Sequence, residues 1–453
     1  MLMRPPTANG TDPRLSIWLR VRKYAVPPTM IETATERRLA GDWSGACAAA
    51  GFDADIDLGA VTRRRGRDVA TQVLADLRHL APDLLRWHLP RIAPDGLLRP
   101  GLTVSLARYG PPERRKRCGE PGSVHLVART APSWADAGQR IVLTLWDGTD
   151  STHHPHPRPD RRYRLDLHRH LWDARRSGDL RIRCGTGGLP DRHVSSRAVP
   201  EGCAVDRWAA EVDILLRGDG LDEGPVRVRF GGRSDLVVEP VVAGVDPVAV
   251  RIVADYPRGQ LAALPVLPDA ATWVLPDLEL IRSGAITVDR LHPLVAAALE
   301  PGWSPPVPSR TPIREKRIHL VDCRGEQHRI GRLDGALTAL DHDPAEVRRE
   351  ELLVALGGTP LPCLQAIDRA HRRPDCLPGV RERLHHGDAT GALDVVEGLL
   401  GPDAVLRDGP LLDAIRASAD RRAAYDRFRA EPVETPPVSR PRRSKRSRRA
   451  NSR

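Results

Sequence analysis

"STHHPHPRPDRRYRLDLHRHLWDARRSG", residues 151–178, places five histidines within eighteen positions and surrounds them with arginine. The backbone of this stretch decides how the middle of the chain is read. If 162–171 is a strand, side chains alternate with period two, and Asp166, His168 and His170 share one face. Together with His154 and His156 they could then hold zinc or ferrous iron, the constellation of a metal-dependent enzyme over His153–His170. If it is a helix, each residue turns the direction by about 100°, and His168 and His170 lie on nearly opposite sides. The letters favour a strand to about Leu165 and a helix after it. Asp166 can cap that helix, Leu167 and Leu171 make an i,i+4 pair, and Gly178 can end it. Prolines around His153–His156 favour extended, exposed chain, which is poor support for a rigid ligand set. The expectation is a polar, partly exposed surface with no cofactor.

Upstream, "RLSIWLRVRKY" (14–24) alternates: Leu15, Ile17, Leu19 and Val21 against Ser16, Trp18, Arg20 and Arg22. Period two predicts a strand over 14–23, in a basic N-terminal segment 1–23. Residues 24–95 carry helical periodicity and read as a helical domain. Thr29 and Glu32 have capping-box spacing, Gly41 suits the left-handed stop of a first helix, and Asp42 the cap of the next. From 96 to 300 the texture is β-rich, a sandwich or an α+β sheet. "LTVSLAR", "SVHLVAR", "RIVLTLW", "PVRVRF", "DLVVE" and "AVRIVA" are short strand-like runs between turn residues, interrupted by a helix in "VDRWAAEVDILL". A Pro-rich linker follows at 301–316. Residues 317–430 then begin with a hairpin turning at Arg324-Gly325 and continue as helices. Asp343-Pro344-Ala345-Glu346 is the first of those starts, and Gly357-Gly358 its stop. The fold class is therefore α+β and multi-domain: an N-terminal helical hairpin domain, a β-rich middle, a C-terminal small hairpin plus helical domain, and a disordered basic tail at 431–453.

The net charge of +11 sits at the ends. Residues 431–453 carry +6 and residues 1–23 carry +4, which leaves about +1 for everything between. Only four of the 70 basic residues are lysine, so arginine abundance by itself says little about phosphate binding. In the tail, Arg440, Arg442, Arg443, Lys445, Arg446, Arg448 and Arg449 would associate with any polyanion in a salt-sensitive way. No aromatic residue interleaves them, so base stacking is not expected. This is the basis of an alternative reading as a nucleic-acid-associated protein.

The seven cysteines are dispersed and form no C-x-x-C pair. A disulfide framework or a zinc ribbon is not expected, and buried reduced thiols are. Cys363, His371, Cys376 and His385 could gather around zinc, but their spacings fit no common knuckle. "RCGTGG" (183–188) reads as a turn more than a phosphate cradle, since no helix opens directly behind it. Phosphate-loop, nucleophile-elbow, H-E-x-x-H and dinucleotide signatures are absent. With no signal-peptide core and no long apolar run, the expected location is the cytoplasm.

One internal echo remains. Gly-Asp-x-x-Gly-Ala occurs at 41–46 and again at 387–392. It resembles the Gly-Asp junction of tetratricopeptide-type helical hairpins, without a 34-residue period. Three stretches, "YAVPPTMIETATERRLAGDWSGACAAA" (24–50), "PRPDRRYRLDLHRHLWDA" (157–174) and "LHHGDATGALDVVEGLLGP" (384–402), resemble parts of an uncharacterised family of high-GC bacteria encoded beside MoxR-type AAA+ ATPases and von Willebrand factor A proteins. The resemblance implies an accessory or client role in an AAA+ ATPase system, with such a protein as partner. It implies no catalytic residue. The sequence thus points to a non-catalytic scaffold or adaptor acting through protein–protein contacts, its reactive side chains scattered over the framework.

Overall fold

The computed structural model describes residues 13–110, 122–135, 139–148, 154–184, 199–231, 234–243, 246–304 and 319–430. The first element is a helix, α1 (Pro13–Arg20), prolonged by a wider π turn over Val21–Ala25. This corrects the strand expected at 14–23. Read with helical period, Ile17, Trp18, Val21 and Ala25 fall on one side; Val21 and Ala25 are buried, and the Trp18 ring packs tilted against Trp87 with centroids 5.8 Å apart. Tertiary packing selects the helix over an equally legible alternation. Next come α2 (Pro28–Leu39) and α3 (Trp43–Ala49). The capping box expected at Thr29 does not form: the helix starts one residue earlier, on Pro28, whose ring presets the first-turn backbone. Gly41 takes the left-handed conformation (φ +80°), and the Asp42 carboxylate accepts from the Gly45 N–H at 2.8 Å, as the sequence predicts.

A short strand β1 (Phe52–Asp55), helices α4 (Leu58–Arg65), α5 (Arg67–His79) and α6 (Pro82–His88), and the two-residue ladder of β2 (Arg91–Ile92) with β3 (Leu97–Leu98) lead into β4 (Thr103–Tyr109), β5 (Val124–Thr130) and β6 (Ile141–Trp146). These form one sheet in the order β1-β6-β5-β4, antiparallel except for β1 beside β6. β5 is buried along its whole length, as a central strand covered on both faces must be.

The 151–178 stretch joins two cores. Residues 160–166 run along the free edge of β4: Asp160 N–H donates to Thr103 O at 2.9 Å and Asp166 N–H to Ser105 O at 2.8 Å. The helix expected after Asp166 is only a 3-10 turn, Arg169–Leu171. Asp166 is engaged by Arg164 instead of capping. Leu167 and Leu171 do not stack as an i,i+4 pair, because Leu171 and Trp172 enter the large N-terminal core while Leu167 packs against a second one. Asp76 on α5 anchors the segment, accepting from Arg169, from Arg175 at 2.6 Å and from Tyr109 Oη at 2.9 Å. The large core draws on residues 21–98, 102–143, 163–184 and 275–296, so it crosses the boundary expected at 95/96.

The second core is built by α8 (Trp208–Gly218), which follows the short α7 (Leu180–Arg183), and by the three-stranded sheet β7 (Val226–Gly231), β8 (Ser234–Ala243) and β9 (Asp246–Ile252). The middle of the chain therefore holds two separate sheets, an α+β arrangement and not a sandwich. Helices α9 (Asp269–Thr272), α10 (Pro276–Arg282) and α11 (Pro293–Leu299) return the chain to the first core.

The C-terminal unit opens with the antiparallel sheet β10 (His319–Cys323), β11 (Glu326–Leu333) and β12 (Ala336–Ala339). Arg324 and Gly325 both take positive φ (59° and 88°), the two-residue turn that matches strand twist. Helices α12 (Pro344–Ala355), α13 (Pro362–Arg372), α14 (Leu377–His385), α15 (Ala389–Leu400) and α16 (Pro410–Ala430) follow. Asp343 caps α12 through the Ala345 N–H, as expected. The α14–α15 junction repeats the α2–α3 one: Gly387 has φ +84°, and Asp388 accepts from Gly391 N–H at 2.9 Å. This unit docks on the first core. Arg86, fully buried, donates to the carbonyls of Ala25, Ala50, Gln139 and His386, and Tyr425 of α16 donates to Asp53. The chain is an α+β multi-domain fold. Residues 305–318 and 431–453, which contain most of the Pro-rich linker and all eight tail cations, lie outside the described residues, as do Cys118, His153 and residues 185–188.

Candidate functional site

The histidines of the middle segment are held in separate places. His154 is buried, its Nε2 at 3.0 Å from Thr130 O and its Nδ1 accepting from the His156 N–H at 3.2 Å. His156 itself is exposed. Asp166 forms a two-pronged pair with Arg164, which also reaches Asp219, and this guanidinium holds the Asp166 carboxyl below its usual range against the opposing effect of burial. His168 is buried with Nδ1 at 3.0 Å from Arg164 O and Nε2 at 3.1 Å from Glu211 Oε2. Both ring nitrogens are thus already engaged by protein oxygens. Glu211 is further held by Arg183 at 2.7 and 2.8 Å. His170 lies 5.8 Å from His168, ring to ring, in surroundings where burial lowers its basicity. These five residues stitch the segment to its neighbours and do not meet around one point.

A partly open cavity of about 310 Å³ lies behind the same segment, lined by Trp18, Trp87, Tyr163 and Trp273 and by Arg91 and Arg162. Three of its five arginines are matched by carboxylates, while Arg91 donates to the carbonyls of Gly96 and Arg86 and leaves its Nε without a partner. Arg162 pairs with Asp269, Arg164 with Asp166 and Asp219, and Arg14 with Glu279. His88, fully buried beside it, is pushed down to about 4 by desolvation, against the pull of Asp277. The cavity is a partly ion-paired joint between layers, in which burial raises the Asp269 carboxyl to about 6 against the pull of Arg162.

The C-terminal unit differs in two ways. First, α12 has no buried residue, and its last turns expose Leu352, Leu353, Val354 and, just beyond the helix, Leu356, the last at 85%. Beside it runs an open groove of about 840 Å³, floored by Leu337, Val347, Leu364 and Ile367. Its rim carries Arg369, Arg372, Arg373 and Arg407 against Glu351 and Asp368. Contiguous exposed apolar surface rimmed by charge marks interaction sites in folded proteins. Second, the expected dispersal of reactive groups fails here. Among the described residues one group of side chains can share a metal ion: Cys323, His342 and Cys363, whose ligand atoms all lie within 4.8 Å of one another. Cys363 thus turns toward the hairpin and not toward His371, Cys376 and His385. Sequence spacing missed this set because its members come from β10, the loop after β12 and α13, forty residues apart. The described cysteines are free thiols, as expected.

Among the described residues no helix is long and apolar enough to cross a membrane. No family model, no curated protein and no solved structure matches the chain.

Proposed function

We propose that this protein is a non-catalytic scaffold that acts by binding an acidic, amphipathic segment of a partner protein in the groove between α12 and α13. One observation carries the reading: a helix with no buried residue exposes Leu352, Leu353 and Val354 in its last turn, with Leu356 just beyond it, and lends Val347, Glu351 and Val354 to a groove that four arginines also line. Apolar side chains of a partner would cover Leu352, Leu353 and Leu356, and partner carboxylates would meet Arg369 and Arg373, since Arg372 and Arg407 already pair with Asp368. Such complementarity steers encounter and fixes register. The ion pairs and hydrogen bonds that engage Asp166, His168 and Glu211 support a structural role for the histidine segment. The family resemblance makes a MoxR-type AAA+ ATPase or a von Willebrand A protein the first partner to test.

The test is a photo-crosslinking amino acid placed at Leu356 of the full chain, in cells. The expected adduct lies in a segment of another protein rich in acidic and apolar residues, and it is lost in an Arg369→Glu, Arg373→Glu variant. An adduct within this chain's own residues 305–318, or none above background, would refute the reading.

A further inference from the structure

We propose that Cys323, His342 and Cys363 are ligands of a structural zinc ion that pins α13 to the β10–β12 sheet, with His328 as the fourth donor. Cys323 ends β10 at the tight Arg324-Gly325 turn, and Cys363 sits in the first turn of α13; both are essentially inaccessible. His342 lies three residues after β12 and precedes the Asp343 cap, its side chain 5% exposed. Thus one thiol comes from a strand end, one from a helix start and an imidazole from the loop between them. A tetrahedral ion with Zn–S of about 2.3 Å and Zn–N of about 2.0 Å sets ligand atoms roughly 3.3–3.8 Å apart. The 4.8 Å envelope of the three atoms needs only small side-chain adjustment to reach this.

Two orphaned nitrogens point to the ligand. His342 Nε2 and His328 Nδ1 are buried and have no hydrogen-bond partner. Their rings face each other with centroids 4.2 Å apart. Buried imidazole nitrogens without partners are costly, and a shared cation would satisfy both. The remaining nitrogen of each ring is directed to a carboxylate: His342 Nδ1 lies 3.6 Å from Glu346 Oε2, and His328 Nε2 3.7 Å from Glu326 Oε2. A carboxylate behind a ligating histidine fixes its tautomer and aims the other nitrogen at the metal. Zinc binding would displace both thiol protons to solvent, turning two neutral donors into thiolates.

The energetic need is visible too. The core between sheet and helix comprises only Cys323, Ile330, Ala339, Leu361, Cys363 and Ile367 as buried members. Units with so little apolar burial are commonly stapled by a metal. The same ion would fix the floor of the groove through Ile367 and Leu364, though its presence does not depend on what the groove binds.

The experiment is elemental analysis of the full chain purified under reducing conditions, followed by chelator stripping and titration with zinc alone. About one equivalent of zinc is expected as purified and on titration, with about two protons released per ion. Cobalt in place of zinc should give thiolate-to-cobalt charge-transfer bands and tetrahedral ligand-field bands, a readout that needs no variant. Cys363→Ser and His342→Gln should lose the metal, while Cys376→Ser and His371→Gln keep it. Full zinc affinity in His328→Gln would remove His328 from the set. Less than about a tenth of an equivalent in both preparations, cobalt spectra without thiolate bands, or a Cys323–Cys363 disulfide in the reduced-purified chain would overturn the proposal.

Discussion

Replacing Gly391 by alanine tests how the repeated Gly-Asp-x-x-Gly junction works. A Cβ built on Gly391 would lie 2.4 Å from Asp388 Oδ2 and 2.8 Å from its Cγ and Oδ1, closer than side chains tolerate. The Asp388 side chain must therefore leave. It gives up the cap on the Gly391 N–H and its pair with Arg383, in which Asp388 is 8% exposed. Losing a cap costs about 1 kcal/mol, and a partly buried pair of this kind adds about 0.5–1 kcal/mol. Alanine returns about 0.5–1 kcal/mol of helix propensity. The net loss for Gly391→Ala is then about 1 kcal/mol. In an Asp388→Ala background nothing remains to displace, and the same substitution should stabilise by about 0.5–1 kcal/mol. The coupling in this double-mutant cycle is thus about 1.5–2 kcal/mol. Global unfolding of a multi-domain chain is a poor measure, so the readout is hydrogen exchange of α15 amides by mass spectrometry. Additive effects of the two substitutions would refute the reasoning. Gly45→Ala should behave alike, since its Cβ would lie 2.0 Å from Asp42 Oδ2, but with weaker coupling because the Arg37–Asp42 pair is exposed.

Further expectations concern buried charge. Desolvation holds the imidazoles of His88 and His386 down to about 4 and about 3, and lowers those of His154, His170 and His371. The unfolded chain protonates these groups near pH 6.5 while the folded chain resists, so stability falls as pH drops from about 6.5 toward 4. The gap at His88 alone corresponds to roughly 3 kcal/mol, and His88→Gln should flatten the decline of the melting temperature between pH 7 and 4.5; a wild-type profile flat over that range would contradict this. Arg86→Met should destabilise the packing of α14 on the N-terminal helices by about 3–5 kcal/mol, because it strands carbonyls from four segments. The exposed Arg324→Ala should stay within about 0.5 kcal/mol in the same exchange assay.

What the sequence made legible follows physical locality. Both Gly-Asp junctions, the Asp343 cap, the Arg324-Gly325 turn and the strands from Thr103 to Ile252 depend on residues within a few positions, and they fold as read. The Asp334-Gly335 turn carried an equally strong hairpin signal that the reading passed over. The failures are nonlocal. Residues 14–21 satisfy helix and strand periods alike, and only Trp87 and the core beyond it decide. The helix after Asp166 is pre-empted because Asp166 meets Arg164 and because Leu167 and Leu171 are drawn into different cores. Unlike the dense histidines at 153–170, Cys323, His342 and Cys363 have no compact spacing and meet only once the hairpin packs on α13.

The central claim is that the groove beside α12 is a binding surface for an acidic, apolar protein segment. The direct measurement is the affinity of the full chain for a fluorescent amphipathic helical peptide with glutamates flanking its leucines, followed by anisotropy at two salt concentrations. The account predicts saturable binding that weakens with salt and drops at least about tenfold both in Leu353→Glu, Leu356→Glu and in Arg369→Glu, Arg373→Glu. Absence of saturable binding, or affinities unchanged in both variants, would contradict it.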